Sequence, residues 1–348
     1  MTTRSYRLAV LPGEGIGPEV VAAALQVVQR VGEVCGFAIA PQPALIGPPA
    51  FAQTGEFLPA ETLRCCEQSD GILFGAVSKG GLLELRRHFD LFTNLRPVRP
   101  SPHLLHKSPL RPEVVQGADV LFVRELASGI YFGESGRSED AAGAYGFHTM
   151  RYGDEEIRRI ARVALERAQT RRRHLTVAHK ENALPHLPWS ALVQDVAADF
   201  PEVTVAPMLV DNLAMQLILR PRDFDVVLAG NLFGDILSDL GGAIAGSIGM
   251  LGSASLNASG FGLYEPIHGT APDIAGKGIA NPMGTIASAT LMLEQWGETE
   301  AAKQIQKAQE RILAQGYRTA DLSPTPPEIS VTTDELIQLF FTELEKGH

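Results

Sequence analysis

The 348-residue chain predicts an α/β fold. Three observations carry that expectation. Strand-like apolar runs alternate with segments of helical spacing from one end to the other. The composition, 45% hydrophobic and 20% charged, is that of a globular protein. No internal repeat interrupts the alternation, a pattern that predicts helices covering a mostly parallel sheet. Leu8-Ala9-Val10-Leu11 reads as the first strand. Val20, Val21, Ala24, Leu25, Val28 and Val31 then recur as one apolar helix face. Buried strands are expected at 71–75, 119–123, 175–177, 203–205 and 224–229, all rich in Val, Leu and Phe. Helices are expected at 155–171, with Ile157, Ile160, Ala161, Val163, Ala164 and Ala168 inward, and at 189–198, 287–295, 302–314 and 333–344. Pro324-Thr325-Pro326-Pro327 reads as a short rigid connector.

The formal charge of −10 argues against a general nucleic-acid binder. The cluster Arg171-Arg172-Arg173-His174 closes a helical pattern and reads as cations complementing a helix C-terminus. The three cysteines, Cys35, Cys65 and Cys66, have neither a disulfide framework's pairing nor metal-ligand spacing. They predict a reducing, cytoplasmic setting, with Cys35 and Cys65 as small core residues. No apolar signal region and no bilayer-length apolar stretch is present, so no membrane partner is expected.

The chemistry begins at Gly230-Asn231-Leu232-Phe233-Gly234-Asp235-Ile236-Leu237-Ser238-Asp239, which follows the strand at 224–229. Asp235 and Asp239 are four apart and share one helix face, with no cation between them. A hard divalent cation, Mg²⁺ or Mn²⁺, would convert their repulsion into binding. The turn Leu11-Pro12-Gly13-Glu14-Gly15-Ile16-Gly17-Pro18-Glu19 has the spacing Gly-x-Gly-x-Gly. It is Gly-rich in the manner of a phosphate loop, but it lacks the Gly-x-Gly-x-x-Gly dinucleotide fingerprint.

Several further segments stand in a definite order: Leu82 to Arg86, Asn94-Leu95-Arg96-Pro97, Val123-Arg124-Glu125-Leu126, Gly129-Ile130-Tyr131-Phe132-Gly133-Glu134, His179-Lys180, Val210-Asp211, and a run from Glu265 through Asp273 to Gly276 followed by Ala280-Asn281-Pro282. Together with the two motifs above they resemble the β-decarboxylating 2-hydroxyacid dehydrogenases, in particular the isopropylmalate branch, over essentially the whole chain.

That resemblance implies a fold of two domains sharing a central mixed sheet, one built from residues 1–91 plus 246–348 and the other from 92–245. It implies that Arg86, Arg96 and Arg124 grip the carboxylates of a malate-type substrate, a task suited to guanidinium forks. Asp211, Asp235 and Asp239 would be the metal carboxylates. Lys180 would take the hydroxyl proton, with Asp211 nearby, and Tyr131 would protonate the enolate carbon after decarboxylation. Ile16, His268, Gly269, Ala271, Asp273 and Asn281 fall at cofactor positions. An acid at Asp273 suits the ribose hydroxyls of NAD and would repel a 2′-phosphate. The resemblance further implies a homodimer whose active sites are shared across a two-fold axis, with Lys180 and Asp211 completing the second copy's site.

The chain departs from the isopropylmalate pattern where the 3-substituent should be read. A shorter loop, Gly75-Ala76-Val77-Ser78-Lys79-Gly80-Gly81, precedes Leu82-Leu83, and Lys79 takes the place of the usual glutamate. Glu181-Asn182-Ala183 follows Lys180 where Ala-Asn-Val is usual, and Glu14 replaces an aspartate. Leu82 and Leu83 favour an apolar substituent. A shorter loop and a smaller wall at Ala183, with Asn182 kept, leave two expectations open: 3-isopropylmalate itself, or a bulkier relative such as 3-benzylmalate. Tartrate, D-malate or homoisocitrate is a further alternative: Leu82-Leu83 speaks against it, whereas Lys79 could meet a third carboxylate. A ligand-binding paralogue without turnover would be expected to lack some of Lys180, Tyr131, Asp211, Asp235 and Asp239, and all five are present.

Overall fold

The computed structural model describes residues 4–346. The first part of the chain forms β1 (Arg4–Gly13), α1 (Gly17–Cys35), β2 (Phe37–Pro43), α2 (Pro48–Thr54), α3 (Ala60–Glu67), β3 (Gly71–Ala76) and α4 (Leu82–His88). The middle forms β4 (Thr93–Val98), α5 (Pro112–Val115), β5 (Val120–Glu125), the hairpin β6 (Ser135–Asp140) and β7 (Gly143–His148), α6 (Asp154–Gln169), β8 (His174–His179), α7 (Trp189–Ala197), β9 (Thr204–Leu209), α8 (Val210–Leu219), β10 (Val226–Ala229) and α9 (Asn231–Ala245). The last part forms β11 (Gly252–Leu256), β12 (Gly262–Pro266), α10 (Met283–Gln295), α11 (Thr299–Ala314), the short pair β13 (Tyr317–Arg318) and β14 (Ile329–Ser330), and α12 (Thr333–Glu345).

Ten strands join one sheet in the order β2-β1-β3-β12-β11-β4-β5-β10-β8-β9. Its two flanks are parallel, as the alternation predicts. The centre is not: β12–β11, β11–β4 and β4–β5 are antiparallel. Only the turn 257–261 joins β11 to β12, which is too short for the crossover a parallel pair needs. The five strands from β2 to β11 come from the segments before 92 and after 245, and the five from β4 to β9 from the segment between. Both outer strands carry proline, Pro41 and Pro43 on β2 and Pro207 on β9, where a missing N–H removes no ladder bond from the sheet interior.

Helices cover both faces. On one, α1, α10, α11 and α12 pack together through residues such as Val27, Ile286, Ile305 and Phe340, all buried. The same apolar cluster continues beneath α6 and α7 through Ile157, Ile160 and Val193. On the other face α8 and α9 pack through Leu213, Leu217, Leu237 and Ile244. The helix ends follow local rules. Glu156 accepts from the Gly153 N–H at 2.6 Å ahead of the acidic first turn of α6, Thr332 and Glu335 form a capping box on α12, and Gly36, at φ +79°, closes α1.

Two local expectations are corrected. Helix α6 stops at Gln169, and the basic cluster beyond it is not a helix-end device. Arg171 pairs with buried Asp225 and with Asp119, both at 2.8 Å, and Arg172 donates to main-chain carbonyls including that of Phe224. These cations tie the end of α6 to the start of β10, because a fully buried Asp225 must be paired. Among the cysteines, Cys66 is the core residue, and burial pushes its thiol up to about 12. Cys35 and Cys65 are half-buried, and all three thiols are free.

Candidate active site

The antiparallel centre of the sheet brings the site together. Arg96 lies on β4 and Arg124 on the neighbouring strand β5, while α9, following β10, presents Asp235 and Asp239 over them. Tyr131 arrives from the turn after β5, and Arg86 from the last turn of α4. All of them but Asp239 line one open cleft of about 310 Å³, together with Val77, Leu82, Leu83, Glu265, His268 and Gly269.

The acids on α9 are not bare. Arg96 Nη1 reaches Asp235 Oδ1 at 3.3 Å, Ser238 Oγ at 2.7 Å and Asp239 Oδ1 at 3.0 Å. Arg124 Nη1 lies 2.5 Å from Asp235 Oδ1, and the Tyr131 hydroxyl donates to Asp235 Oδ2 at 2.9 Å. The expectation that no cation compensates the pair is therefore corrected: the compensating charges come from other strands, which helical spacing alone does not reveal. Arg86 pairs with Glu265 at 2.6 Å, both buried.

Electrostatics follow from crowding. Burial, with Arg96 adding to it, lowers Arg124 to about 10. Burial and Asp235 raise the Tyr131 hydroxyl, keeping it protonated as a donor. Partial desolvation raises Asp239, although its side chain is half exposed, and Asp235 adds to the rise. The Nε atoms of Arg86 and Arg96 are buried and without a partner, two donors spare inside a cationic cleft. Three guanidiniums of which two have spare donors fit a dianionic ligand.

Lys180 and Asp211 stand elsewhere. They pair at 2.9 Å, and neither lines the cleft. The Lys180 ammonium holds the Asp211 carboxyl below its usual range. Asn182 and Ala183, just beyond Lys180, are exposed and also outside the cleft. Among the described residues no three metal-ligating side chains gather, so Asp211 does not join Asp235 and Asp239 within one chain. Lys79 stands outside this cleft. It is exposed, and its ammonium lies 5.7 Å from the centre of the Phe57 ring. The shortened loop is instead held by Glu14, whose carboxylate accepts from the Ser78 N–H and hydroxyl at 2.6 Å each.

The expected cofactor residues lie along one path leading from the cleft. His268 Nδ1 donates to the Gly269 carbonyl, 2.9 Å away, while its buried Nε2 has no partner. Burial lowers its pKa. A side chain at Gly269 would meet nothing, so open space surrounds it. Ala271 turns the chain at φ +39°, Asp273 is exposed, and Ile16 packs with Val20 and Ala280. Asn281 donates to Asp321 at 3.1 Å and accepts from the Met283 N–H at 3.0 Å. Gly15 explains the glycine spacing: its φ is +63°, and a Cβ there would sit 2.0 Å from the Thr270 carbonyl oxygen, so the first turn can touch this path only as glycine. An orphaned imidazole nitrogen, an open main-chain path and a free carboxylate fit a dinucleotide better than a packed loop.

Sequence reasoning assigned no role to Glu265, Asn231 or Ser238, which hold Arg86, Arg124 and Arg96. All three stand inside the motif segments, and that was the available signal.

The family model for isocitrate/isopropylmalate dehydrogenase matches residues 7–339. A 3-isopropylmalate dehydrogenase of Pseudoalteromonas translucida is 49% identical over 93% of this chain and 95% of its own length. The enzyme of the same name from Aquifex aeolicus is 45% identical over 99% and 98%. Among solved structures, isocitrate dehydrogenase from Methylococcus capsulatus superposes with a TM-score of 0.87 at 28% identity, covering 97% of this chain and 99% of that one. A β-decarboxylating dehydrogenase from Thermococcus kodakarensis gives 0.81 at 33% identity, covering 98% and 96%. The chain belongs to the isocitrate/isopropylmalate dehydrogenase family. It is a dehydrogenase of the oxidatively decarboxylating type, acting on the CH–OH group of a small molecule.

Proposed function

We propose that the protein is an NAD- and divalent-metal-dependent dehydrogenase that oxidises and decarboxylates 3-isopropylmalate, a step of leucine biosynthesis in the cytoplasm. The carrying observation is the cleft in which Arg86, Arg96 and Arg124 converge beside an apolar wall of Val77, Leu82 and Leu83. Three cations beside two leucines match a dicarboxylate with a hydrocarbon branch, and the relatives' names support the same substrate. Lys79, turned onto Phe57, offers no partner for a third carboxylate, which disfavours homoisocitrate.

In this reading the arginines hold both carboxylates and keep the 2-hydroxyl facing the cofactor path at His268 and Gly269. Asp235 and Asp239 would hold Mg²⁺ or Mn²⁺, with Asp211 supplied by a second copy. They fit as hard oxygen donors on adjacent helical turns, Asp239 being open to solvent. A cation held there would supply Lewis acidity toward the substrate's oxygens. Asp273, the Ile16 turn and Asn281 would hold NAD, which when bound would supply a hydride acceptor facing the substrate's C2. Lys180 of the second copy receives the hydroxyl proton, CO₂ leaves, and Tyr131 returns a proton to the enolate carbon.

A two-fold dimer accounts for a Lys180–Asp211 pair outside its own chain's cleft. It also accounts for the exposed apolar side chains Met215 and Leu219 on α8 and Ile236 on α9. The division into residues 1–91 plus 246–348 and 92–245 is proposed on the sheet order, with β11 and β4 as the join.

The test is NADH absorbance on mixing the protein with NAD, Mg²⁺ and 3-isopropylmalate, beside an EDTA control and 3-benzylmalate. Turnover that EDTA abolishes, with kcat/KM at least about tenfold higher for the isopropyl substrate, is expected. No NADH from 3-isopropylmalate would sink the reading.

A further inference from the structure

Asn231 opens α9 and is wholly buried. Its side chain uses every hydrogen-bonding capacity it has. Oδ1 accepts from Arg124 Nε at 3.0 Å and from Nη2 at 2.7 Å. Nδ2 donates to the carbonyls of Leu126 at 3.3 Å and Ser128 at 2.9 Å. Its main-chain N–H donates to the Tyr152 hydroxyl at 2.7 Å. One amide thus joins the strand bearing Arg124, the segment that leads into Tyr131, and the helix bearing Asp235.

The surroundings leave this joint little slack. Glu125 accepts from the N–H groups of Ala127 and Ser128 at 2.9 and 3.0 Å, fixing the same segment from behind. At Gly129, φ +78°, a Cβ would lie 2.2 Å from the Tyr152 hydroxyl. At Gly234 a Cβ would lie 2.7 Å from the Arg124 side chain, so α9 rests directly on the arginine stem.

The partner's charge matters as much as its place. A buried guanidinium is usually met by a carboxylate. Here the inner edge of Arg124, Nε and Nη2, meets a neutral amide oxygen. Its donors are satisfied, but its charge is not cancelled from that side. Only Nη1 is directed toward Asp235 and the cleft.

We propose that Asn231 is a positioning residue for the reaction: it sets the Arg124 guanidinium and the Tyr131 turn in one fixed relation while leaving the arginine's charge for a substrate carboxylate. The inference rests on reading Arg124 as a carboxylate anchor.

The experiment uses Asn231→Ala and Asn231→Ser in the full-length protein, the serine keeping one donor and one acceptor should the alanine variant fail to fold. Crystal structures should show the Arg124 guanidinium displaced by more than about 0.5 Å, the tolerance of a preorganised site. KM for 3-isopropylmalate should rise roughly tenfold or more, as for a lost bond to a charged group. KM for NAD should stay within about twofold, a split that general loss of stability would not produce. Combined with Arg124→Lys, the effect on substrate KM should be far from additive, since both changes act on one group. An unmoved Arg124, a parallel rise in both KM values, or additivity would each overturn the proposal. A wild-type protein inert toward 3-isopropylmalate would refute the substrate reading alone, because the crystallographic position of Arg124 still decides this inference.

Discussion

Arg124 Nη1 lies 2.5 Å from Asp235 Oδ1, inside a site that holds two further arginines. This contact moderates repulsion among the cations until an anionic substrate arrives. Asp235→Asn should therefore destabilise the protein by about 1–3 kcal/mol, at or below the range for breaking a buried pair because Asp235 is partly exposed. It should also abolish turnover. Thermal unfolding and the NADH assay measure the two effects, and a variant as stable as wild type would contradict the role of the contact.

Lys180→Ala should differ from Asp235→Asn in leaving stability nearly intact. The Lys180–Asp211 pair is solvent-accessible, so its loss should change stability by no more than about 0.5 kcal/mol. Turnover should fall by at least about a hundredfold if Lys180 accepts the hydroxyl proton. An unchanged rate would remove Lys180 from the mechanism.

Asp273 is exposed on the proposed cofactor path, where its charge would repel a 2′-phosphate. Asp273→Lys should raise KM for NAD and lower KM for NADP. The expected change in the ratio of kcat/KM values is about tenfold or more, the scale of a single charge-assisted hydrogen bond. Steady-state kinetics with both cofactors at saturating substrate provide the measurement, and an unaltered ratio would count against Asp273 as the selecting residue.

Burial raises Glu125 from 4.5 to about 7, against the two N–H groups that favour its ionised form. With the folded pKa above the unfolded one, the folded protein holds the extra proton across that interval. The contribution is complete below pH 4.5 and is lost as pH rises through about 7. The difference in unfolding free energy between wild type and Glu125→Gln should shift by about 3 kcal/mol across the window, from the linkage relation. Glu328 and Glu343, held at about 2, do not titrate there. Denaturant titrations from pH 4 to 8 would show a flat difference if Glu125 is ionised throughout.

The sequence by itself determined the α/β class, because period-two and period-3.6 apolar patterns are local properties of the chain. Strands β1, β3, β5, β8 and β10 and the helices α1, α6, α7 and α10 to α12 were legible for that reason. Strands β4, β11 and β12 were not. Arg96 and Pro97 break the apolar run of the first, and the second is built of small residues. At Gly252 a Cβ would meet α10 at 2.5 Å, so close packing, which has no sequence period, selects them. The motif order likewise identified Arg86, Arg96, Arg124, Tyr131, Asp235 and Asp239 as one set, and the cleft contains all but Asp239, which Arg96 joins to it. Only the tertiary structure decided how those charges balance. Arg96 and Arg124 compensate the α9 acids from strands more than a hundred residues away, Lys79 turns onto Phe57, and the Lys180–Asp211 pair lies outside the cleft. Electrostatic pairing depends on distance in space, and the antiparallel centre of the sheet creates that proximity.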